Sequence, residues 1–216
     1  GRALGWREYP LRALEWEVMG HVLLAAVGMY AFLRVGAGYP GPRLRRTAAL
    51  IGAAAYAFGG FMTGYAMLQT AILQTAAWLP LILLAIKWLA TARRWLPAAS
   101  SLAVLVFLAF TAGHPQTMLL IAYTAAIAFA FWFWQAHRGE PWAALLRHGL
   151  LRGTVAGAFA IGLSAAQLIP TLLFMLASTR ASLSFVEAGR GFALHDIALV
   201  ALTGVINVWQ PIYIGI

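Results

Sequence analysis

The sequence predicts an all-α fold, a polytopic transmembrane helix bundle with six complete spans and a seventh beginning near Asp196. Three observations predict it. Of the 216 residues 62% are hydrophobic and only 10% charged, with mean hydropathy +0.81; a soluble domain of this size has no interior large enough for so much apolar surface. The apolar runs approach the roughly 20 residues that cross a hydrocarbon layer about 30 Å thick. The gaps between runs alternate between basic and uncharged, as loops on opposite sides of a membrane do.

Residues 1–16 are polar and aromatic, with Trp6, Tyr9, Pro10 and Trp16. Trp and Tyr favour the headgroup level, so this stretch reads as an interfacial lead-in. The first span runs from Glu17 to Leu33 and stops at Arg34, before a Gly/Pro loop holding Gly36, Gly38, Pro40, Gly41 and Pro42. The second starts near Thr47 and is dense in small residues, among them Gly52, Ala53, Ala54, Ala55, Gly59, Gly60 and Gly64. Small residues let backbones approach closely, so this helix is expected at the centre of the bundle.

Met67 to Gln74 turns the chain back, and the third span covers Ala76 to Ala90. Pro80 lies in its first turns, where a missing N–H costs least. The fourth span, Trp95 to Thr111, closes at Gly113-His114-Pro115, and the fifth runs from Pro115 to Gln135. Its last turns carry Phe131, Trp132, Phe133 and Trp134, read as an aromatic belt at the cytoplasmic boundary. The sixth, Gly153 to Ser178, is expected to be broken at Gln167 and Pro170. Residues 1–216 are read as one transmembrane domain. The chain opens on Gly1-Arg2 without an initiator Met or signal peptide and closes inside an apolar run, so a piece of a longer membrane protein is expected.

Charge placement sets the expected orientation. Three gaps are basic: Arg34, Arg43, Arg45 and Arg46; then Lys87, Arg93 and Arg94; then Arg138, Arg147 and Arg152. These ten cations face one acid, Glu140, and so carry the whole formal net charge of +9. Positively charged loops stay cytoplasmic, which puts the gaps at Gln69–Thr75 and Gly113–Gln116 together on the other side. The same clustering argues against nucleic acid, because no basic stripe interleaved with aromatics exists. Without cysteine there is no disulfide framework, thiolate metal site or thiol nucleophile.

Soluble catalytic templates are absent: no phosphate-binding glycine loop, no zinc-spaced His pair, no G-x-S-x-G elbow. No cofactor is expected, since scattered histidines such as His21 and His114 are a poor tetrapyrrole signature. His137 and His148, in a basic gap, read as solvated. The candidate binding residues are His114, Gln116, Gln167, Arg180 and Arg190. His114 lies between a helix-ending glycine and a helix-starting proline, with Gln116 two residues on. Either it caps the turn, or it sits beside free N–H groups that would receive an anion. Gln167 precedes Pro170 and either satisfies the carbonyl that the proline frees or lines a groove. Arg180 and Arg190 oppose the orientation bias; they either clamp a lipid phosphate or neutralise Glu187 and Asp196 in an exposed loop. Glu17 and His21, four residues apart, form either a structural pair or a general base.

Four stretches occurring in order carry a resemblance: Ala57-Phe58-Gly59-Gly60-Phe61-Met62, Ala76-Ala77-Trp78-Leu79-Pro80-Leu81, Gly113-His114-Pro115-Gln116 and Ala166-Gln167-Leu168-Ile169-Pro170-Thr171. They resemble the bacterial YfhO-like membrane proteins, whose fold is similar to GT-C glycosyltransferases. The resemblance covers essentially the whole chain. It implies transfer of a sugar from a polyprenyl-phosphate carrier to an acceptor on the outer face of the bacterial cytoplasmic membrane. It also implies a catalytic Asp in the first extracytoplasmic loop, after a preceding helix, and residues 1–16 resemble the end of that loop; none of Glu8, Glu15 and Glu17 is assigned that role. Gln69 stands where the family has a His, and Thr203-Gly204-Val205-Ile206-Asn207 departs from its Pro-Asn segment. Two other readings stay open. One is a non-catalytic subunit packed beside other membrane subunits. The other is a lipid or small-molecule transporter, suggested by the proline in the sixth span.

Overall fold

The computed structural model describes residues 11–36 and 41–178. Every element among them is helical: α1 (Leu11–Gly36), α2 (Pro42–Phe58), α3 (Gly60–Thr63), α4 (Tyr65–Leu68), α5 (Thr70–Ala77), α6 (Leu79–Thr91), α7 (Leu96–Thr111), α8 (Pro115–Ala136) and α9 (Trp142–Ala177). The all-helical bundle matches the fold class that the composition predicts. The expected seventh span lies outside the described residues.

Helix boundaries follow local chemistry. Pro42, Pro80, Pro97 and Pro115 sit in the first turns of α2, α6, α7 and α8, where an N–H has no partner to lose. Gly41, Gly113 and Gly139 turn the chain with φ of 82°, 85° and 98°, a left-handed backbone that suits glycine. Arg34 in the last turn of α1 complements that helix's negative end.

Four stretches are long and apolar enough to cross a membrane: Arg12–Val35, Thr70–Thr91, Pro115–Ala136 and Trp142–Ala177, with α7 a shorter apolar helix. The second of these joins α5 to α6 through Trp78, which keeps a helical backbone (φ −81°, ψ −18°). It is the centre of the bundle: 56% of its most apolar stretch is buried, against 11%, 11% and 6% for the others. Ile82, Ala85, Ile86 and Leu89 of α6 form the main core with Ala98, Ala99 and Leu102 of α7, Ile121 of α8 and Ala156 of α9. A second cluster joins Ala25 of α1 to Met62, Ala66, Ile72, Leu73, Ala76 and Ala77.

Three expectations need correction. The small-residue helix α2 is peripheral, not central. Its small residues serve one seam, Ala49, Ala53 and Ala57 at four-residue spacing, while Leu50, Ile51 and Phe58 stay exposed. It packs chiefly on α1, where Gly52 lies so close to the Leu33 methyl that a Cβ would push that side chain aside. The turn at Met67–Gln74 is also more than a turn. The chain breaks at Gly59 and Gly64 into the single-turn helices α3 and α4 before α5 begins.

The third correction concerns α9, which starts at Trp142 rather than Gly153 and runs unbroken through Pro170. At 36 residues it is about 54 Å long, well beyond a hydrocarbon core of about 30 Å. Arg147 and Arg152 therefore ride on its first turns instead of in a loop.

The ends that carry the basic gaps come together. Arg152 Nη1 of α9 donates to the Leu89, Ala90 and Ala92 carbonyls at 3.0, 3.3 and 3.1 Å, closing the C-terminus of α6. Phe133 of α8 is buried with Ala90 and Leu145. Lys87 lies 5.9 Å from the Trp132 ring, which also meets Phe32 of α1. The aromatic run is thus only partly a belt: Phe131 and Trp134 are exposed, whereas Phe133 is core.

Candidate functional site

With the basic gaps at one end, the opposite end is built from the start of α1, the segment α3–α5, the α7–α8 turn and the last turns of α9. The short helix α5 organises it, because it packs on α1, α7 and α8.

The α7–α8 turn follows from its sequence. Gly113 takes the left-handed conformation, and His114 has an extended backbone (φ −112°, ψ 91°) as the N-cap of α8. Its Nδ1 accepts from the Thr117 N–H at 3.2 Å and from the Thr117 hydroxyl at 2.7 Å. That network assigns the ring proton to Nε2. Burial lowers the His114 pKa below its ordinary value, favouring the neutral ring. The Met118 N–H is spent on the His114 carbonyl at 3.1 Å, and Pro115 has none. The turn is therefore a capped helix start, and its first turn offers at most the Gln116 amide to an anion. Nε2 still points a donor away from the cap. Gln116 is exposed on the first turn.

Gln167 is half-buried on α9, about 15 Å from its C-terminal end. Its carbonyl accepts from the Thr171 hydroxyl at 2.7 Å, just past Pro170. Ala156, Ala160 and Ser164 form the buried seam of α9, which packs mainly on α7. Ser164 is 5% exposed and its hydroxyl has no hydrogen-bond partner in the structure. No hydrogen bond joins His114 to Gln116 or Gln167. Arg180 and Arg190 lie outside the described residues.

Another polar pair holds this end together. Gln74 Nε2 of α5 donates to Glu17 Oε1 of α1 at 2.8 Å, and the Tyr56 hydroxyl of α2 donates to the Ala76 carbonyl at 2.8 Å. Thr75, fully buried, returns its hydroxyl to the Ala71 carbonyl at 2.7 Å. His21 Nδ1 donates to the Glu17 backbone carbonyl at 2.8 Å, so the ring serves the helix backbone, while the Glu17 carboxylate accepts from Gln74. Four-residue spacing points to a Glu17–His21 pair. The Glu17–Gln74 bond has no such local signal, apart from both residues being polar in apolar helices. Among the described residues no three His, Asp or Glu side chains come together as a metal-holding set.

Residues 27–203 match the family model described as bacterial membrane protein YfhO. No curated protein and no solved structure matches the chain. The match spans well over half of the sequence, and the chain belongs to this family of bacterial membrane proteins.

Proposed function

We propose that this YfhO-family chain is a glycosyltransferase-like protein of the bacterial cytoplasmic membrane. In this reading it moves a sugar from a polyprenyl-phosphate carrier to an extracytoplasmic acceptor. The observation that carries the reading is the division of the bundle into a strongly basic end and a polar end without a basic excess. The positive-inside rule sends the second to the outer face. The motif resemblance supplies the reaction class.

The chemistry asks for two things. Negative charge builds on the departing carrier phosphate and needs cations or oriented donors. Arg180 and Arg190 are the candidate cations, and the His114 Nε2–H and the Gln116 and Gln167 amides the candidate donors. The acceptor hydroxyl must lose its proton to a carboxylate, for which the resemblance implies an Asp in a preceding loop.

Membranes containing the protein, supplied with a radiolabelled polyprenyl-phosphate sugar, test this reading. Transfer of label to a membrane or wall acceptor is expected, with loss in His114→Ala and in Arg180→Ala. Full transfer in both variants removes these residues from the site. No transfer by the unaltered protein favours the non-catalytic subunit.

A further inference from the structure

At the basic end α8 and α9 touch through a phenylalanine ladder. Phe129 and Phe133 stack with ring centroids 5.4 Å apart. Gly149 and Gly153 of α9 receive them: a Cβ on Gly149 would stand 3.1 Å from the Phe133 ring, and one on Gly153 3.7 Å from Phe129. Beside this ladder the two helices part, leaving an open groove of about 720 Å³. Its walls include Phe133, Trp134, Trp142, Leu146 and Leu150. Trp142, Leu146 and Leu150 are well exposed, so the groove opens outward from the bundle.

The rim is cationic. The Arg138 guanidinium lies over the ring of the groove's own Trp134, 4.1 Å from its centroid. Arg138 and Arg147 are both exposed. Arg152 is committed to the α6 carbonyls and sits 5.4 Å from the inner wall's Phe133 ring. The local acid, Glu140, faces His148 at 3.7 Å. An apolar trough with an arginine stacked at its mouth and indole rings near the helix ends matches one chemistry: hydrocarbon chains below an anionic headgroup.

We propose that this groove is a binding site for an anionic phospholipid of the cytoplasmic leaflet. Its acyl chains lie between α8 and α9, and Arg138 meets its phosphate. Arg138 is well placed for that contact, because the Trp134 ring already draws the guanidinium to the groove. The site stands whether or not the chain transfers sugar.

The test uses the two groove tryptophans as reporters. The full chain is reconstituted in phosphatidylcholine vesicles holding a minor fraction of acyl-brominated lipid, either phosphatidylglycerol or phosphatidylcholine. Brominated phosphatidylglycerol is expected to quench tryptophan fluorescence more strongly. That excess should vanish in the double variant Trp134→Phe, Trp142→Phe. In Arg138→Gln the apparent preference should fall about fivefold, the worth of one basic side chain at a charged surface. Equal quenching by the two lipids in the unaltered protein overturns the proposal. An excess that survives the loss of both tryptophans, or that Arg138→Gln leaves unchanged, also overturns it.

Discussion

Gln74 of α5 donates to the carboxylate of Glu17 on α1 at 2.8 Å, across 57 positions of sequence. This bond ties the interrupted segment after α2 to the first span at the end that holds the candidate site. A hydrogen bond to a charged group contributes about 1.5–3 kcal/mol, less where water reaches it, as at this half-buried pair. Gln74→Leu is expected to cost about 1 kcal/mol. Gln74→Glu should cost more, by setting two carboxylates against each other. Thermal unfolding of the purified variants in one detergent measures both, and unchanged midpoints remove the tie.

Arg152 acts as the C-terminal cap of a neighbouring helix. The Leu89 and Ala90 carbonyls of α6 and that of its C-cap Ala92 converge on its Nη1, so truncation leaves them without that donor at a partly buried helix end. Arg152→Met is expected to destabilise the protein by about 2 kcal/mol. Exchange should also quicken at amides in the last turn of α6. Exchange that rises equally over all helices would indicate global loosening instead of a lost cap.

At the α1–α2 seam a Cβ on Gly52 would meet the Leu33 Cδ1 methyl, the far end of a flexible side chain that can turn aside. Alanine is better than glycine inside a helix by about 0.5–1 kcal/mol. Gly52→Ala is therefore expected to leave the unfolding midpoint unchanged or raise it slightly, whereas the bulkier Gly52→Leu should destabilise the seam by about 1–3 kcal/mol. A midpoint lowered as much by alanine as by leucine would show that Leu33 cannot move.

The His114 cap depends on pH. Burial lowers the ring's pKa in the folded chain, so the unfolded ring, with its ordinary value near 6.5, protonates first as pH falls. The cap's contribution is complete above about pH 6.5 and drains away below it, as protons reach Nδ1 and end its acceptance from Thr117. The protection factor of the Thr117 amide should hold above about pH 6.5 and fall as the pH drops below it. In His114→Asn, which keeps a capping acceptor, it should stay flat. A pH-independent amide in the unaltered protein contradicts the cap.

Local chemistry made much of this architecture readable. Proline and glycine set the starts of α7 and α8 within a residue of where the sequence places them, since their backbone preferences act without tertiary help. The common end of the basic gaps was also legible, because charge placement records it. What failed was non-local. Small residues signal close approach but not how many neighbours approach, so α2 looked central when only its alanine seam is used. Arg147 and Arg152 read as loop residues, yet a helix longer than the bilayer carries charge on its emergent turns. Pro170 sits in continuous helix, with the Thr171 hydroxyl bonded to the Gln167 carbonyl beside it. At the candidate site the His114 turn was visible because three adjacent residues make it. The Glu17–Gln74 bond was not, because only the packing of α5 on α1 creates it.

Sidedness underlies the functional reading, and the absence of cysteine makes it directly measurable. Gln116→Cys and Arg138→Cys, both at exposed positions, are treated in intact cells with a membrane-impermeant maleimide. Cysteine at 116 should label at once, and cysteine at 138 only after permeabilisation. Labelling of 138 from outside, with 116 protected, would turn the polar end toward the cytosol and remove the extracytoplasmic site.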